Sequence, residues 1–321
     1  MNKINYIHVA IAFNDKSGLY SKHVAVTLAS ILKNTNEHIC IHVLHDNTLS
    51  DDNKNKFISL INYYKQKIEF HNISITLKDN ICRADIKRIS QAALYRLLIP
   101  EIINEAKVIY LDTDIIVNLD LKYLWEEDLE KFYIGAVLDS KITRNEHSSR
   151  KFYNKININL DNYFNSGVLL LNLNKLSMYK LYDKCIAFLE QHPEAPHTDQ
   201  SALNYLLQDK CKILDSRYNI IINDYSRLKI KRFVQKEGIY HFAGATKPWD
   251  GIYSEADKLY WIYLLYTPWG KRNEFIKSIN LMKLDSYPLE KLIMTQRIYS
   301  KKIFLKNIFN RIYSIFFNKS K

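Results

Sequence analysis

The sequence predicts an α/β fold with a mainly parallel central sheet, and three observations carry that prediction. Apolar strand-like runs alternate with amphipathic helix-like runs through the first half of the chain, the βαβαβ pattern of a sheet covered by helices on both faces. Hydrophobic residues make up 47% and charged residues 25% of the 321, which is globular composition. Only 7 Gly and 6 Pro occur, and no Gly/Ser- or Pro-rich linker separates mobile domains.

Taken in order, the periodicity predicts a strand over 4–13, a helix over 22–34, a strand over 39–45 and a helix over 50–64 opened by Ser50-Asp51-Asp52. A strand over 67–70, a helix over 90–99 and a strand over 107–111 continue the alternation. Further strands are expected over 134–138, 167–172, 211–214 and 239–242. No repeat or low-complexity segment is evident. Two regions follow: an α/β domain over 1–250, and a helical extension over 251–321.

Composition excludes several classes. Cys40, Cys82, Cys185 and Cys211 form no Cys-x-x-Cys pair, so buried free thiols are expected rather than a zinc site or disulfide framework. The start, Met1-Asn2-Lys3-Ile4, lacks the apolar core of a signal peptide, and no apolar run reaches the ~18 residues of a membrane span. The expected location is therefore cytoplasmic. Net charge is +12, of which 8 Lys+Arg, with no acid, lie from Lys291 to Lys321. That distribution argues against a nucleic-acid-binding core and for a tail meeting an anionic surface. In the tail Phe304, Leu305, Ile308, Phe309, Ile312, Ile315 and Phe316 fall on one side of a helix, with Asn307, Asn310 and Ser314 opposite. This is the pattern of an interfacial helix, peripheral on the inner face of the cytoplasmic membrane, with docking on the core as the alternative.

The chemistry concentrates in Tyr110-Leu111-Asp112-Thr113-Asp114. Two carboxylates at the end of an apolar strand stand where open α/β sheets bind ligands, and they suit Mg²⁺ or Mn²⁺ held with substrate phosphates. Capping of a turn is the plainer alternative. Neither a Gly-x-Gly-x-x-Gly nor a Walker loop is present, so the phosphates of a bound nucleotide would depend on metal and basic side chains. Tyr240-His241-Phe242-Ala243-Gly244-Ala245-Thr246-Lys247-Pro248-Trp249 offers both a further ligand, His241, and a cation, Lys247. Tyr163-Phe164-Asn165-Ser166-Gly167 precedes an apolar run. His197-Thr198-Asp199-Gln200 opens a predicted helix, where Thr198 or Asp199 could be an N-cap.

These four motifs, in this order, resemble the signatures of the family 8 retaining glycosyltransferases, which include bacterial lipopolysaccharide galactosyl- and glucosyltransferases and the glycogenins. The resemblance covers about residues 4–249, with a weaker match through Trp261 to Trp269 to the extension of lipopolysaccharide-core members. It implies a single GT-A-type domain binding Mn²⁺, or Mg²⁺, through Asp112, Asp114 and His241. The donor it implies is UDP-glucose or UDP-galactose, and the acceptor a saccharide, lipid-linked as in the lipopolysaccharide core. Ala12 and Asn14 match uridine contacts, and Arg96 a donor contact. Thr113 lies within the metal motif. Asn165, Asp199 and Gln200 match residues around the donor sugar, with Asp199 and Gln200 in the catalytic role. Gly244 and Lys247 match contacts to the β-phosphate.

A carboxamide rather than a strong base facing the sugar fits a front-face route better than a covalent intermediate. Ser201, where many members carry an acid, points the same way. The polar, lysine-rich stretch 139–160 reads as an acceptor-side lid. A sugar-nucleotide nucleotidyltransferase and a non-catalytic membrane-bound scaffold are the competing functions.

Overall fold

Seven strands form the main sheet of the computed structural model, in the order β3-β2-β1-β4-β7-β6-β8. The structure describes residues 5–73, 92–139, 147–223, 236–251 and 256–270. The strands are β1 (Ile7–Phe13), β2 (Ile39–His45), β3 (Lys67–Asn72), β4 (Lys107–Leu111), β6 (Ile134–Leu138), β7 (Phe164–Asn172) and β8 (Cys211–Ile213). A smaller sheet holds β5 (Ile115–Asn118), β9 (Ile220–Ile221) and β10 (Gly238–His241) in the order β5-β10-β9.

Every residue of β2 is buried, which requires cover on both faces of the sheet. On one face Val9, Ile11, Ile41 and Val43 pack against Val24, Leu28 and Ile31 of the helix Tyr20–Asn34 and Phe57 and Leu60 of the helix Asp51–Tyr63. On the other, Ala10, Leu44, Tyr110 and Leu169 meet Leu94, Leu97, Leu181, Phe188 and Leu203. Each such large apolar side chain contributes about 1.5–3 kcal/mol by leaving water, so the pattern of alternation fixes which side faces which layer. Ser50 caps the second helix by accepting from the Asn53 N–H at 3.3 Å, with Asp51 and Asp52 in the first turn.

The expected parallel sheet has one reversal. β7 runs antiparallel to both β4 and β6, while β1, β2, β3 and β4, and β6 with β8, pair parallel. Because β7 is reversed, its first residues meet the last of β4, with Val168 opposite Leu111. The apolar run after Asp114 is a separate strand, β5, in the small sheet, so Asp112-Thr113-Asp114 is the link between the two sheets. The helix expected over 90–99 is broken into Ala92–Tyr95, a 3₁₀ turn Arg96–Leu98 and Ile99–Ile102, as Pro100 removes a helical donor.

The helix Asp257–Leu264 packs Leu259, Tyr260 and Leu264 on Val26, Ile116, Tyr240 and Phe242, so the beginning of the extension shares the core of the preceding domain. Cys40, Cys185 and Cys211 are free and buried, as expected; Cys82 lies outside the described residues. Among the described residues no helix is long and apolar enough to cross a membrane. The amphipathic tail lies outside the described residues, as does part of the stretch read as a lid.

Candidate active site

Two antiparallel pairings assemble the site. Asp112 follows β4, and its N–H donates to the Gly167 carbonyl at 2.8 Å, which ties the first carboxylate to the start of β7. β5 and β10 pair antiparallel with His241 opposite Ile115, and the Phe242 N–H donates to the Asp114 carbonyl at 2.9 Å. That register brings His241 beside both carboxylates. Its Nε2 lies 3.4 Å from Asp114 Oδ1 and 3.7 Å from Asp112 Oδ2. Gly167 makes room for it: a Cβ there would stand 2.2 Å from His241 Cε1 and 2.9 Å from Asp112 Oδ2.

The histidine tautomer follows from a neighbouring network. Asn219 Nδ2 donates to Asn165 Oδ1 at 2.8 Å, which turns Asn219 Oδ1 toward His241 Nδ1 at 3.1 Å. Nδ1 is then the donor, and the neutral ring presents the lone pair of Nε2 to two carboxylate oxygens. Three electron-pair donors facing one another need a cation between them. The set is oxygen, oxygen and imidazole nitrogen, all within 4.8 Å of one another, and it fits a divalent ion such as Mn²⁺.

Two cations border this group. Arg96 is buried, its Nη2 2.9 Å from Asp112 Oδ1 and its Nε 3.2 Å from Asp199 Oδ2, and its Nη1 donates to the Ser166 carbonyl at 2.7 Å. Burial opposes the charge of Arg96, but Asp112 and its neighbours outweigh that and push its pKa up. Burial pushes the Asp199 carboxyl above its usual range, with Arg96 opposing. Lys247 Nζ donates to Asp114 Oδ2 at 2.6 Å and to the Phe242 carbonyl at 2.8 Å. Burial would raise the Asp114 carboxyl; Lys247 outweighs it and holds it well below the usual carboxylate range. Tyr110 donates to Asp112 Oδ1 at 2.7 Å.

The other wall is made of amides. Gln200 Oε1 accepts from the Ser166 N–H at 3.0 Å and from Asn165 Nδ2 at 3.2 Å, while its Nε2 donates to Asp139 Oδ2 at 3.1 Å. Asn165 Nδ2 also donates to Asp139 Oδ2, at 3.1 Å. Asp199 and Gln200 stand in the first turn of the helix Thr198–Leu207, and Thr198 takes a left-handed φ of 34° that a β-branched residue rarely adopts. Asp199 is therefore aimed at Arg96 rather than serving as an N-cap. The cavity of about 320 Å³ between the walls is lined by Arg96, Asp112, Asp114, Asn165, Asp199, Gln200 and His241, together with residues such as Asp139 and Ser166. Against the four carboxylates of Asp112, Asp114, Asp139 and Asp199, Arg96 and Lys247 supply two positive charges, so the formal balance favours a divalent cation.

Other expected residues lie outside that lining. Ala12 is the penultimate residue of β1, beside Leu44, and Asn14 follows the strand. Thr113 Oγ1 lies 2.9 Å from the Tyr20 hydroxyl, and its carbonyl accepts from Thr27, which fastens the metal motif to the helix Tyr20–Asn34. Gly244 lies in the bend between His241 and Lys247. Sequence reasoning missed Asn219 and gave no site role to Ser166, which stands in one of the motifs, or to Asp139, which opens the stretch read as a lid. Asp139 follows the apolar strand β6 as Asp112 follows β4, a signal that was present; Asn219 sits in no motif.

The glycosyl transferase family 8 model matches residues 8–253. General stress protein A of Bacillus subtilis (strain 168) is 26% identical over 291 residues, covering 84% of this chain and 97% of that protein. The lipopolysaccharide glucosyltransferase WaaO of Escherichia coli (strain K12) is 29% identical over 245 residues, covering 73% and 70%. Among solved structures, the galactosyltransferase LgtC in complex with donor and acceptor sugar analogues superposes with a TM-score of 0.71 at 23% identity, covering 85% of this chain and all of that one. That likeness shows the fold, GT-A.

Proposed function

This chain belongs to glycosyl transferase family 8 and is a glycosyltransferase, and from that premise we propose that it moves glucose or galactose from a UDP-hexose to a lipid-linked glycan acceptor, with retention. The observation that carries this reading is the cradle of Asp112, Asp114 and His241, whose donor set and fixed tautomer fit a metal-bound diphosphate. An Escherichia coli relative named as a lipopolysaccharide glucosyltransferase supports a surface-glycan acceptor. When bound in the cradle, Mn²⁺ supplies the Lewis-acid charge that offsets the second negative charge of leaving UDP.

The chain's own residues have separate tasks. Arg96 fixes Asp112 and Asp199 in orientation, so the cradle is organised before substrate arrives. Lys247, folded over Asp114, is the cation that can turn to the β-phosphate as negative charge builds there. Gln200 presents a neutral carboxamide to the sugar and is itself locked by Ser166, Asn165 and Asp139. In the reaction the bond from the anomeric carbon to the phosphate oxygen breaks with its electron pair on the phosphate. The acceptor hydroxyl adds on the same face, and its proton passes to that phosphate oxygen. Asp199 is tied to Arg96 and Asp139 to two amides, an arrangement that favours this front-face route over attack by a carboxylate. The basic tail from Lys291 onward brings the enzyme to an anionic membrane surface where such acceptors lie.

The test is release of UDP by the full chain from UDP-glucose, UDP-galactose and their N-acetyl forms, with Mn²⁺ and with EDTA. One hexose donor should be hydrolysed in Mn²⁺ and spared in EDTA. Turnover indifferent to chelation, or no turnover and no Mn²⁺-dependent UDP binding, overturns the reading.

A further inference from the structure

Three histidines form a ladder across the outer strands of the main sheet, away from the cleft. The strand register places His8 of β1, His42 of β2 and Glu69 and His71 of β3 on one face, with His42 directly opposite Glu69. His8 Nδ1 lies 3.0 Å from His42 Nε2, and His42 Nδ1 lies 3.1 Å from His71 Nε2. Glu69 Oε2 is 3.4 Å from His42 Nδ1 and 4.0 Å from His71 Nε2. Three donor atoms therefore stand at the corners of a triangle with edges of 3.1, 3.4 and 4.0 Å. Tetrahedral zinc with bonds of about 2.0–2.1 Å has ligand edges of about 3.3 Å, so the triangle is one face of such a site.

The surrounding groups settle which atoms are ligands. Glu105 Oε2 lies 3.6 Å from His8 Nε2, within electrostatic reach but beyond hydrogen-bond distance. With its Nδ1 lone pair given to the triangle, His42 has Nε2–H to donate to His8 Nδ1 at 3.0 Å. A hydrogen bond to the outer nitrogen of this kind orients a metal-binding imidazole. Lys67 grips the other oxygen of Glu69, Oε1, at 2.5 Å and leaves Oε2 to the triangle. Burial lowers the pKa of all three imidazoles, His42 to about 4.

We infer that His42, His71 and Glu69 form a second divalent-metal site of the zinc class, oriented by His8, on strands β2 and β3 and sharing no residue with the catalytic cleft. His₂Glu donors with one open position suit Zn²⁺, whereas the cleft's two carboxylates and one imidazole suit the harder Mn²⁺. A proton shared between His42 and His71 is the competing occupant of the same space.

The test counts Zn²⁺ held by the full chain, using a chromophoric chelator in competition. The Asp112→Asn/Asp114→Asn variant removes the cleft site and should still hold one equivalent, which separates failure here from failure of the cleft assignment. His71→Asn should weaken that binding at least about 100-fold, since loss of even an outer partner costs 10–100-fold. Glu69→Gln, at a half-exposed position that folding tolerates, should weaken it in the same direction. His71→Asn should leave Mn²⁺-dependent UDP release unchanged. Co²⁺ in place of Zn²⁺ should give the strong visible bands of a tetrahedral ion without a thiolate charge-transfer band. No Zn²⁺ beyond the cleft, binding indifferent to His71→Asn, or a thiolate band that moves the ion to Cys40 overturns the inference.

Discussion

In the cleft, Asp114 stays ionised because Lys247 lies against it; in the seam where the helix Asp257–Leu264 docks on the helix Tyr20–Asn34, His23 is buried among aromatic rings. The His23 ring stacks on Trp249 at 4.0 Å between centroids, and its Nδ1 lies 2.7 Å from the Tyr260 hydroxyl. Burial, aided by Lys22, drives the His23 pKa down to about 3. The two regions adjoin: Tyr20 touches Trp249 on one side and Thr113 of the metal motif on the other. Charge held by opposite charge serves chemistry, and an imidazole held neutral serves docking. Lys247 and Trp249, two residues apart in one loop, thus belong to different regimes.

The largest expected effect breaks the comparison on the cleft side. Asp114→Ala should lower Mn²⁺-dependent UDP release more than about 100-fold, nearly 3 kcal/mol of transition-state stabilisation, with the thermal midpoint little changed. Steady-state kinetics and thermal melts check it; near-normal turnover would remove Asp114 from the metal site. Asp112→Ala and His241→Ala should behave alike.

Acid should separate the regions next. The unfolded chain binds a proton at His23 below pH 6.5, while the folded chain resists until about 3, so stability falls as pH drops through that window. From pH 7 to pH 5 the loss due to His23 is roughly 2 kcal/mol. The low carboxyl of Asp114 behaves differently, since its contribution is intact above its usual value of 3.8 and is lost only as the pH falls below it. Urea unfolding at pH 7 and pH 5, in the native chain and in His23→Phe, checks this. The variant should flatten the fall, and an equal fall in both would show that the seam does not titrate in this window.

The smallest effect sharpens the contrast inside the cleft. Gln200 is neutral, so Gln200→Ala should cost about 10-fold in rate, near 1.4 kcal/mol and on the scale of one hydrogen bond. UDP affinity should stay as it is, while Lys247→Ala should weaken UDP binding and rate together. Calorimetry with UDP and Mn²⁺ distinguishes them, and an equal loss of UDP affinity in both would reassign Gln200.

Much of this molecule was legible one element at a time. β2, β4 and β6 start and end where their apolar runs do, and Ser50 opens its helix, because strand burial and capping are local effects written within a few residues. The small sheet was not legible. No strand was expected over 115–118, and nothing in a run of apolar residues marks the point where the chain leaves one sheet for another. Asp139 follows its strand as Asp112 follows β4, yet its partners Asn165 and Gln200 lie 26 and 61 residues away.

The sequence by itself determined which stretches are strands and helices, and it marked Asp112, Asp114, His241 and Lys247 as chemistry, because polar groups at the ends of apolar runs stand out against their neighbours. Only the tertiary structure decided what those groups are to one another. Reversal of β7 carries Gly167 under His241, Asn219 sets the imidazole tautomer, and Arg96 joins Asp112 to Asp199. The physical reason is range. Burial and capping act on neighbouring residues, whereas hydrogen bonds and ion pairs act over about 3 Å of space, and only the strand order tells which distant residues come within that reach.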